Sequence, residues 1–343
     1  MSSIPDLSMG EGNTPLVLLP SLARQWGIKK IWAKAEYFNP TGSYKDRIAL
    51  TTMAEALSKG YRGWLGTSSG NGGAAMGAYG ARAGLPGILC ILADAPAEKV
   101  ASIRPYGALM IAMKELGSDA MLTLKNIAED ENLILTITAY AFNPEGMKGA
   151  ELIGEEISTY KSASHVYVPT GGGGLLAATA IGLARGGSHA KVICAQPFDC
   201  APISQVLMGM IDIPVIDACG TKISGLQLPN PPDGLLAIEK VRASSGWGVR
   251  VTDESVWSMQ DLLAKEEGIF VEPASALALT ALHQDIESGK ISSEDEPVVV
   301  LTGSGMKDMT RFKLDSGTPT TVYQIDHIRD LVHDSLANKG RKL

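Results

Sequence analysis

The chain has 343 residues, of which 45% are apolar and 20% charged, and its net charge is −7. These values are typical of a folded protein of about two domains rather than of a disordered chain. The acidic balance argues against a nucleic-acid partner, and the basic residues at 339–342 look like a solvated end. No apolar run reaches the roughly 18–20 residues that a membrane span needs. Residues 1–6 also lack the features of a secretory signal, so we expect a cytoplasmic protein.

Four cysteines are scattered along the chain, at positions Cys90, Cys194, Cys200 and Cys219. They form no C-x-x-C motif and have no histidine at ligand spacing, which argues against a structural metal site. A chain of this length does not need disulfides for its stability. We therefore expect reduced thiols and no metal.

Short apolar segments alternate with alanine-rich amphipathic ones, which is the pattern of an α/β protein with mostly parallel strands. The predicted strands cover residues 30–36, 63–67, 87–92, 109–113, 133–138, 165–169, 191–197 and 297–302. Predicted helices include residues 46–59, 72–83, 97–106, 175–185, 253–267 and 275–288, most of which begin next to Gly, Ser, Asp or Pro. We expect an ordered loop at residues 227–233 and a short amphipathic helix at residues 323–338.

The first segment with chemical potential is T-G-S-Y-K-D-R at residues 41–47, where an extended segment meets a helix. A sheltered lysine amine loses its charge more readily and can form a Schiff base with an aldehyde. The alternative is a surface lysine in a first helical turn, which the positive end of the helix disfavours only slightly. Lys45 is thus a candidate whose support must come from other motifs.

The second segment is T-S-S-G-N-G-G at residues 67–73, between a strand and an alanine-rich helix. Backbone N–H groups at a helix start can bind a carboxylate. The amide of Asn71 can donate to a phenolate-like oxygen. A turn of small residues that caps the helix is the alternative.

The third segment is P-T-G-G-G-G-L-L at residues 169–176, again between a strand and a helix. Four consecutive glycines leave backbone N–H groups free to converge on a phosphate. The segment is not a G-x-x-x-x-G-K-[ST] loop, so an ATPase is not indicated. Gln196 and Pro197 stand where a dinucleotide fingerprint needs an acidic residue. A phosphate site is the interpretation we favour.

The fourth segment is V-L-T-G-S-G-M-K-D at residues 300–308, a buried type of strand that runs into a glycine turn. A hydroxyl at such a strand end can form a hydrogen bond with a ring nitrogen, although a plain turn would explain the segment alone. A reactive lysine, a carboxylate loop, a phosphate loop and this hydroxyl are the parts that a pyridoxal-phosphate (PLP) site needs.

With these motifs in this order, the chain resembles the fold-type II PLP enzymes, the tryptophan synthase β superfamily, and most closely the threonine synthase family. The matching segments are residues 11–16, 34–36, 39–47, 68–73, 268–276 and 301–308. The resemblance implies two open, twisted α/β domains with PLP in the cleft between them. We expect a large domain of residues 11–45 and 151–318 and a small mobile substrate domain of residues 46–150. The polar composition after Thr318 further predicts a C-terminal helical extension of residues 319–343. The resemblance also implies a homodimer.

The resemblance further implies roles for single residues. Lys45 would hold PLP and later move the α-proton of an amino-acid substrate, and Glu272 would lie near the ring or substrate or else cap a helix. The cofactor-binding residues would be Lys45, Asn71 at the 3′ oxygen, Gly171, Gly172, Gly173 and Gly174 at the phosphate, and Thr302 at the pyridine nitrogen. The substrate carboxylate would be bound by Ser68, Ser69, Asn71 and Gly72.

A neutral hydroxyl at the pyridine nitrogen makes the ring a weaker electron sink, which favours elimination or replacement at Cβ or Cγ over transamination. Three features depart from the threonine synthase pattern. Residues 141–148 are short and lack an arginine for the phosphate of O-phosphohomoserine. Ser304 replaces a histidine, and the glycine loop resembles that of serine/threonine dehydratases. We expect a threonine synthase, with a serine/threonine dehydratase or a β-replacement synthase as alternatives. A non-catalytic relative and an NAD-dependent dehydrogenase are more distant alternatives.

Overall fold

Two sheets built mainly from parallel strands organise the fold. The computed structural model describes residues 7–93, 100–114 and 118–312, and also residues 325, 328, 329 and 332. Residues 1–308 form one compact unit and residues 309–343 a second. In the second unit a 3₁₀ turn covers Thr310–Phe312, and the side chains of Ile325, Ile328 and Val332 are exposed. All residues of the candidate site belong to the first unit.

The strands are short and most are buried on both faces. In chain order they are β1 (Leu16–Leu18), β2 (Trp32–Ala35), β3 (Gly63–Thr67), β4 (Gly87–Leu92), β5 (Leu109–Met113), β6 (Leu133–Leu135), β7 (His165–Pro169), β8 (Lys191–Pro197), β9 (Gly248–Val251) and β10 (Val298–Leu301). The larger sheet has the order β1-β2-β10-β7-β8-β9 and the smaller one the order β5-β4-β3-β6. Among these strands, β1 alone runs antiparallel to its neighbour. Ligands of open parallel sheets bind beyond the carboxyl ends of the strands, which is where β3, β7 and β10 lead into the glycine-rich segments.

Helices connect the parallel strands. In chain order they are α1 (Pro20–Trp26), α2 (Lys45–Lys59), α3 (Asn71–Ala83), α4 (Ser118–Asp130), α5 (Pro144–Ser158), α6 (Gly174–Arg185), α7 (Pro202–Leu207), α8 (Gly234–Ala243), α9 (Asp253–Glu267) and α10 (Pro273–Glu287). Helix α5 packs against both α2 and α6, and α2 also packs against α3. The apolar side chains that these contacts bury form the core between helices and sheets. No helix among the described residues is long and apolar enough to cross a membrane.

The α/β class and the two-sheet arrangement expected from the sequence are confirmed. Five predicted strands have the bounds that the structure shows. They are residues 63–67, 87–92, 109–113, 165–169 and 191–197. Strands β1 and β9, and helices α1, α4, α5, α7 and α8, were not among the predicted elements. Residues 227–233 form neither helix nor strand, as expected. The domain boundaries remain a prediction, and the helix predicted at residues 323–338 falls largely outside the described residues.

The expectation of four reduced thiols is wrong for two of them, because Cys200 and Cys219 form a disulfide. The chain turns directly after β8, and the N–H of Gly220 donates to the carbonyl of Asp199, which brings the two Cα atoms to 4.7 Å. A separation of 19 residues without a shared motif gave no sign of this approach. Cys90 and Cys194 are free and buried.

Candidate active site

Lys45 is the first residue of α2, and it stands beside the end of β10. The N–H of Tyr44 donates to the carbonyl of Thr302 at 3.0 Å, which connects the start of the helix to the residue that follows that strand. The Lys45 side chain is half-buried, and its Nζ donates to Thr138 Oγ1 at 2.6 Å. The amine therefore lies where strand β10 and the segment after β6 meet, and is not a free surface group.

A group of four charged side chains, the buried charge cluster of Lys34, Glu36, Arg47 and Glu156, fixes the helix that carries Lys45. Arg47, which is 1% exposed, donates to Glu36 at 2.7 and 2.8 Å and to Glu156 at 2.6 and 2.7 Å. Lys34 donates to Glu156 at 2.5 Å. Burial raises the pKa of Glu156, but hydrogen bonds from Arg47 and Lys34 outweigh it and lower that pKa to about 2. The cluster is thus a set of paired, ionised groups.

The N-terminal motif at residues 11–16 belongs to the same scaffold. The N–H of Asn13 donates to Glu156 at 2.9 Å, and the N–H of Gly12 donates to Asn39 Oδ1 at 2.9 Å. Thr14 donates from its hydroxyl to Glu36 at 2.6 Å. These contacts give the motif a structural role, which is to hold the segment before Lys45 in place.

Asp46 follows the reactive lysine and stabilises the turn that precedes it. Its carboxylate accepts hydrogen bonds from the N–H of Thr41 at 2.6 Å and from the Thr41 hydroxyl at 2.5 Å. The side chain is fully buried, and this burial raises its pKa to about 6. The carbonyl of Thr41 accepts a hydrogen bond from Lys307 at 2.7 Å. The turn before Lys45 is therefore held from both sides.

The carboxylate loop lies between β3 and α3, as the sequence predicts. Ser68, Ser69, Gly70 and Asn71 are half-buried, whereas Gly72 is buried in the first turn of α3. The Ser68 hydroxyl accepts a weak hydrogen bond from the N–H of Gly70 at 3.3 Å. Their backbone N–H groups stand at the amino end of a 13-residue helix, a position suited to an anion. The role of this loop in substrate binding remains a prediction.

Glu272 joins two of the candidate site residues. Asn71 Nδ2 donates to both of its carboxylate oxygens, at 3.1 and 2.9 Å, and Thr302 Oγ1 lies 3.4 Å from one of them. Glu272 stands at the N-cap position of α10 but makes no side-chain hydrogen bond to that helix, so the capping alternative is wrong. Ser275, which sequence reasoning missed, hydrogen-bonds Thr302 Oγ1 at 2.8 Å. The network places Asn71, Glu272 and Thr302 side by side.

Residues 171–174 form a cradle between β7 and α6, and at three of the four glycines a Cβ would collide with residues 225–233. A Cβ on Gly173 would lie 2.8 Å from the carbonyl oxygen of Asp233, and Gly173 itself has a φ of 90°. A Cβ on Gly174 would lie 2.7 Å from the Asp233 carboxylate. Residues 225–233 thus pack directly against the glycines. Helix α6 begins at Gly174, so its first N–H groups lie at this cradle, as a phosphate site requires.

Sequence reasoning also missed Thr138 and Asp233. The Asp233 carboxylate accepts hydrogen bonds from the N–H groups of Tyr140 at 2.8 Å and Ala141 at 3.1 Å. Burial raises the pKa of Asp233, and the two N–H groups oppose that effect. Neither residue stands in a motif, because their partners are distant in the sequence; only their position in the fold reveals them.

The residues at this site fit PLP. Lys45 offers an amine to an aldehyde, residues 171–174 offer N–H groups to a phosphate, and the Thr302 hydroxyl lies at the end of β10. The parts are contiguous: Thr138 contacts Lys45, its carbonyl lies 3.6 Å from a Cβ placed on Gly174, and Thr302 bonds to Tyr44. The structure therefore brings Lys45, residues 171–174 and Thr302 into one region, while their roles remain predictions.

Two departures from the threonine synthase pattern have a clear local structure. Within residues 141–148, Asn143 caps α5 by accepting a hydrogen bond from the N–H of Gly146 at 3.0 Å. Lys148 pairs with Glu145 at 2.6 Å on the exposed side of that helix. Ser304 accepts a hydrogen bond from the N–H of Met306 at 3.3 Å. The short segment thus continues straight into a helix and carries no arginine.

The chain matches the family of pyridoxal-phosphate-dependent enzymes over residues 7–303. It is 34% identical to the threonine synthase of Halalkalibacterium halodurans, over 89% of this chain and 85% of that protein. It is 31% identical to the threonine synthase of Methanosarcina acetivorans, over 95% of this chain and 83% of that protein.

Solved structures show the same fold at lower identity. The processed form of threonine deaminase isoform 2 from Solanum lycopersicum superposes with a TM-score of 0.73 at 19% identity, over 93% of this chain and 82% of that one. Maize serine racemase superposes with a TM-score of 0.73 at 21% identity, over 96% and 94%. At these identities the likeness concerns the fold alone.

Proposed function

Because the chain belongs to the pyridoxal-phosphate-dependent enzymes, we propose that it is a threonine synthase, which eliminates the phosphate of O-phosphohomoserine and adds water to form threonine. Its relatives of that name, at 31 to 34% identity over most of both chains, support the proposal. The observation that carries it is the Lys45 amine, which Thr138 holds beside the glycine cradle, while the neighbouring Tyr44 bonds to the carbonyl of Thr302.

PLP, when bound, supplies the electron sink that makes the α-proton of an amino acid acidic. Lys45 Nζ is the group that takes this proton, since it is a basic atom near the carboxyl end of β10, where Tyr44 is bonded to Thr302. Thr138 Oγ1 holds the amine in place at 2.6 Å. The N–H groups of residues 171–174 hold the phosphate of the cofactor.

Thr302 sets the type of reaction. Its hydroxyl hydrogen-bonds Ser275 and, more weakly, Glu272, and it would be a neutral partner for the ring nitrogen. A neutral partner leaves that nitrogen unprotonated and the ring a weaker sink. Elimination or replacement at Cβ or Cγ is then favoured over transamination.

The substrate carboxylate binds at the amino end of α3. Ser68, Ser69, Asn71 and Gly72 supply N–H groups and hydroxyls there, and the helix dipole favours the negative charge. Glu272 fixes the Asn71 amide through two hydrogen bonds, which leaves the loop backbone free for the substrate.

A second candidate, a serine/threonine dehydratase or a β-replacement synthase, follows from residues 141–148. This segment folds directly into α5, and its one cation, Lys148, pairs with Glu145 at the surface. Without an arginine at this place, a substrate with a smaller leaving group than phosphate is favoured.

Purified enzyme incubated with O-phosphohomoserine tests the proposal. We expect phosphate and threonine to appear in equal amounts, and neither to appear with the Lys45→Ala variant. Release of 2-oxobutanoate from threonine, without threonine formation from O-phosphohomoserine, would instead establish the dehydratase. Exchange of the α-proton for deuterium across a panel of amino acids, followed by nuclear magnetic resonance, identifies the substrate if both fail.

The homodimer, the cytoplasmic location and the division into a large and a small mobile domain stay predictions. The glycine-rich loop that begins α3 supports closure of the smaller domain over a substrate.

A further inference from the structure

Asp233 stands at the start of α8, but its carboxylate turns away from that helix. It occupies the N-cap position without a side-chain hydrogen bond to α8. Both oxygens instead accept hydrogen bonds from the backbone N–H groups of Tyr140 and Ala141, at 2.8 and 3.1 Å. The residue is only 4% exposed. An aspartate at an N-cap usually bonds its own helix, so this use of a buried carboxylate favours another role.

The segment that Asp233 holds carries the partner of the reactive lysine. Residues 136–143 connect β6 with α5 and form neither helix nor strand. Their position therefore depends on individual contacts rather than on a regular ladder of hydrogen bonds. Thr138 lies in this segment, two residues before Tyr140, and its Oγ1 accepts the 2.6 Å hydrogen bond from Lys45.

The other side of Asp233 contacts the phosphate cradle. Its N–H donates to the carbonyl of Gly172 at 3.0 Å. Its carbonyl oxygen and its carboxylate are the atoms that exclude a Cβ from Gly173 and Gly174. One residue thus joins the segment that holds the amine to the loop that faces the phosphate.

We propose that Asp233 is a positioning residue that fixes Thr138, and that Thr138 in turn holds the Lys45 amine where it meets the aldehyde of the cofactor. In that reaction the lysine nitrogen forms a bond to the aldehyde carbon, and the aldehyde oxygen leaves as water. The proposal needs only the PLP chemistry of the family and is independent of the amino acid that serves as substrate.

The physical reason is the freedom of a lysine side chain. Its four-carbon stem samples many rotamers, and a hydrogen bond that selects one of them brings the amine to the aldehyde more often. A single hydrogen bond of ordinary strength changes such a rate by about fivefold. Loss of Thr138 or of its support should therefore slow the capture of an aldehyde without abolishing it.

The test uses the full-length apo-protein and four forms of it: wild type, Thr138→Val, Asp233→Asn and the double variant. The rate of aldehyde capture is measured with pyridoxal phosphate and with pyridoxal, which lacks the phosphate, and the product is trapped with borohydride. We expect each single variant to be about fivefold slower with both aldehydes. The double variant should be no slower than either single one, because both act through the same contact.

Several outcomes would overturn the proposal. A defect of Asp233→Asn that is confined to pyridoxal phosphate would mean that this residue supports only the cradle. Multiplying defects in the double variant would mean that Asp233 and Thr138 act independently. A normal rate in Thr138→Val would remove the proposed link to Lys45, even if Asp233→Asn did not fold.

Two further variants complete the design. Thr138→Ser keeps the hydroxyl and should react at the wild-type rate. Asp295→Asn is the matched control, since Asp295 also accepts a hydrogen bond from a backbone N–H, that of Ser292 at 2.8 Å, but lies before the amino end of β10. Amide hydrogen exchange at Tyr140 and Ala141 should rise in Asp233→Asn and stay unchanged in Thr138→Val.

Discussion

The amide of Asn71 donates to both carboxylate oxygens of Glu272, at 3.1 and 2.9 Å, and so joins the first residue of α3 to the residue before α10. Helix α3 follows a strand of the smaller sheet, while α10 packs on strands of the larger one. The pair therefore links the two halves of the site across 201 residues of sequence.

Glu272→Ala should weaken PLP binding, because the two Glu272 oxygens hold the Asn71 side chain that is assigned to the 3′ oxygen, and without them the amide is no longer oriented. Hydrogen bonds to a charged group are stronger than neutral ones, and we expect the cofactor affinity of the apo-protein to fall by about 10-fold or more. Titration of the apo-protein with PLP, followed by absorbance, gives this value. Glu287→Ala, at the exposed far end of α10, is the control, and an equal loss there would contradict the explanation.

Lys45→Ala should abolish covalent attachment of the cofactor, since Lys45 is the amine assigned to the aldehyde. Borohydride reduction followed by mass spectrometry of tryptic peptides measures the attachment directly. We expect wild type to carry the added mass on the peptide with Lys45. Lys59→Ala removes an exposed lysine from the other end of α2, and this variant should keep the covalent attachment of the cofactor. Label on a different lysine in wild type would refute the assignment.

Gly173→Ala should disrupt the phosphate cradle. A Cβ there would lie 2.8 Å from the Asp233 carbonyl, and the φ of 90° disfavours any side chain. Gly187→Ala is a matched control: its φ of 68° is also positive, but a Cβ would meet nothing within 4 Å. Both variants should lose about 1 kcal/mol of stability from the backbone. We expect Gly173→Ala alone to lose affinity for PLP. Equal affinities of the two variants would argue against phosphate binding by residues 171–174.

Asp46 should make the stability of the protein fall as the pH rises from about 4 to about 6. Its pKa is raised from 3.8 to about 6 in the folded state, so the folded state binds the proton more tightly than the unfolded state does. The contribution is about 3 kcal/mol, since each tenfold difference in proton affinity between the two states corresponds to about 1.4 kcal/mol. Urea denaturation at pH 4.5 and pH 7 should show about 2 kcal/mol of this total, because pH 4.5 lies inside the titration range. In Asp46→Asn this part of the pH dependence should vanish. An unchanged difference in stability between the two pH values would show that Asp46 is not its source.

Arg47→Met should destabilise the protein by about 3–5 kcal/mol, because it leaves the buried Glu36 and the partly buried Glu156 without their shared partner. Arg185→Met is the control, since Arg185 also bridges two glutamates but is exposed. We expect a far smaller change there, because solvent screens and replaces those contacts. Urea denaturation of both variants compares them. Similar losses would mean that burial does not decide the strength of these pairs.

The sequence was sufficient to predict most of the strands that frame the candidate site. Strands framed by glycine or proline, such as Gly63–Thr67 and His165–Pro169, have a strong local signal, and the lysine, glycine and threonine segments follow from it.

The parts of the site that depend on distant contacts could not be predicted in this way. Thr138 and Asp233 are 95 residues apart, and their relation arises only when β6 and the glycine cradle meet. The interpretation of Glu272 stayed open for the same reason, because a residue before a helix caps that helix in most sequences. Its partner, Asn71, is the first residue of α3, the helix that follows strand β3 of the smaller sheet.

The buried charge cluster has a consequence for the behaviour of the protein in salt. Dissolved ions screen charges that they can approach, over about 8 Å at physiological ionic strength, and buried pairs are screened much less. Lys34, Glu36 and Arg47 are almost entirely shielded from solvent, unlike exposed pairs such as Arg62 with Glu131. Concentrated salt should weaken such surface pairs while the helix that carries Lys45 keeps its place.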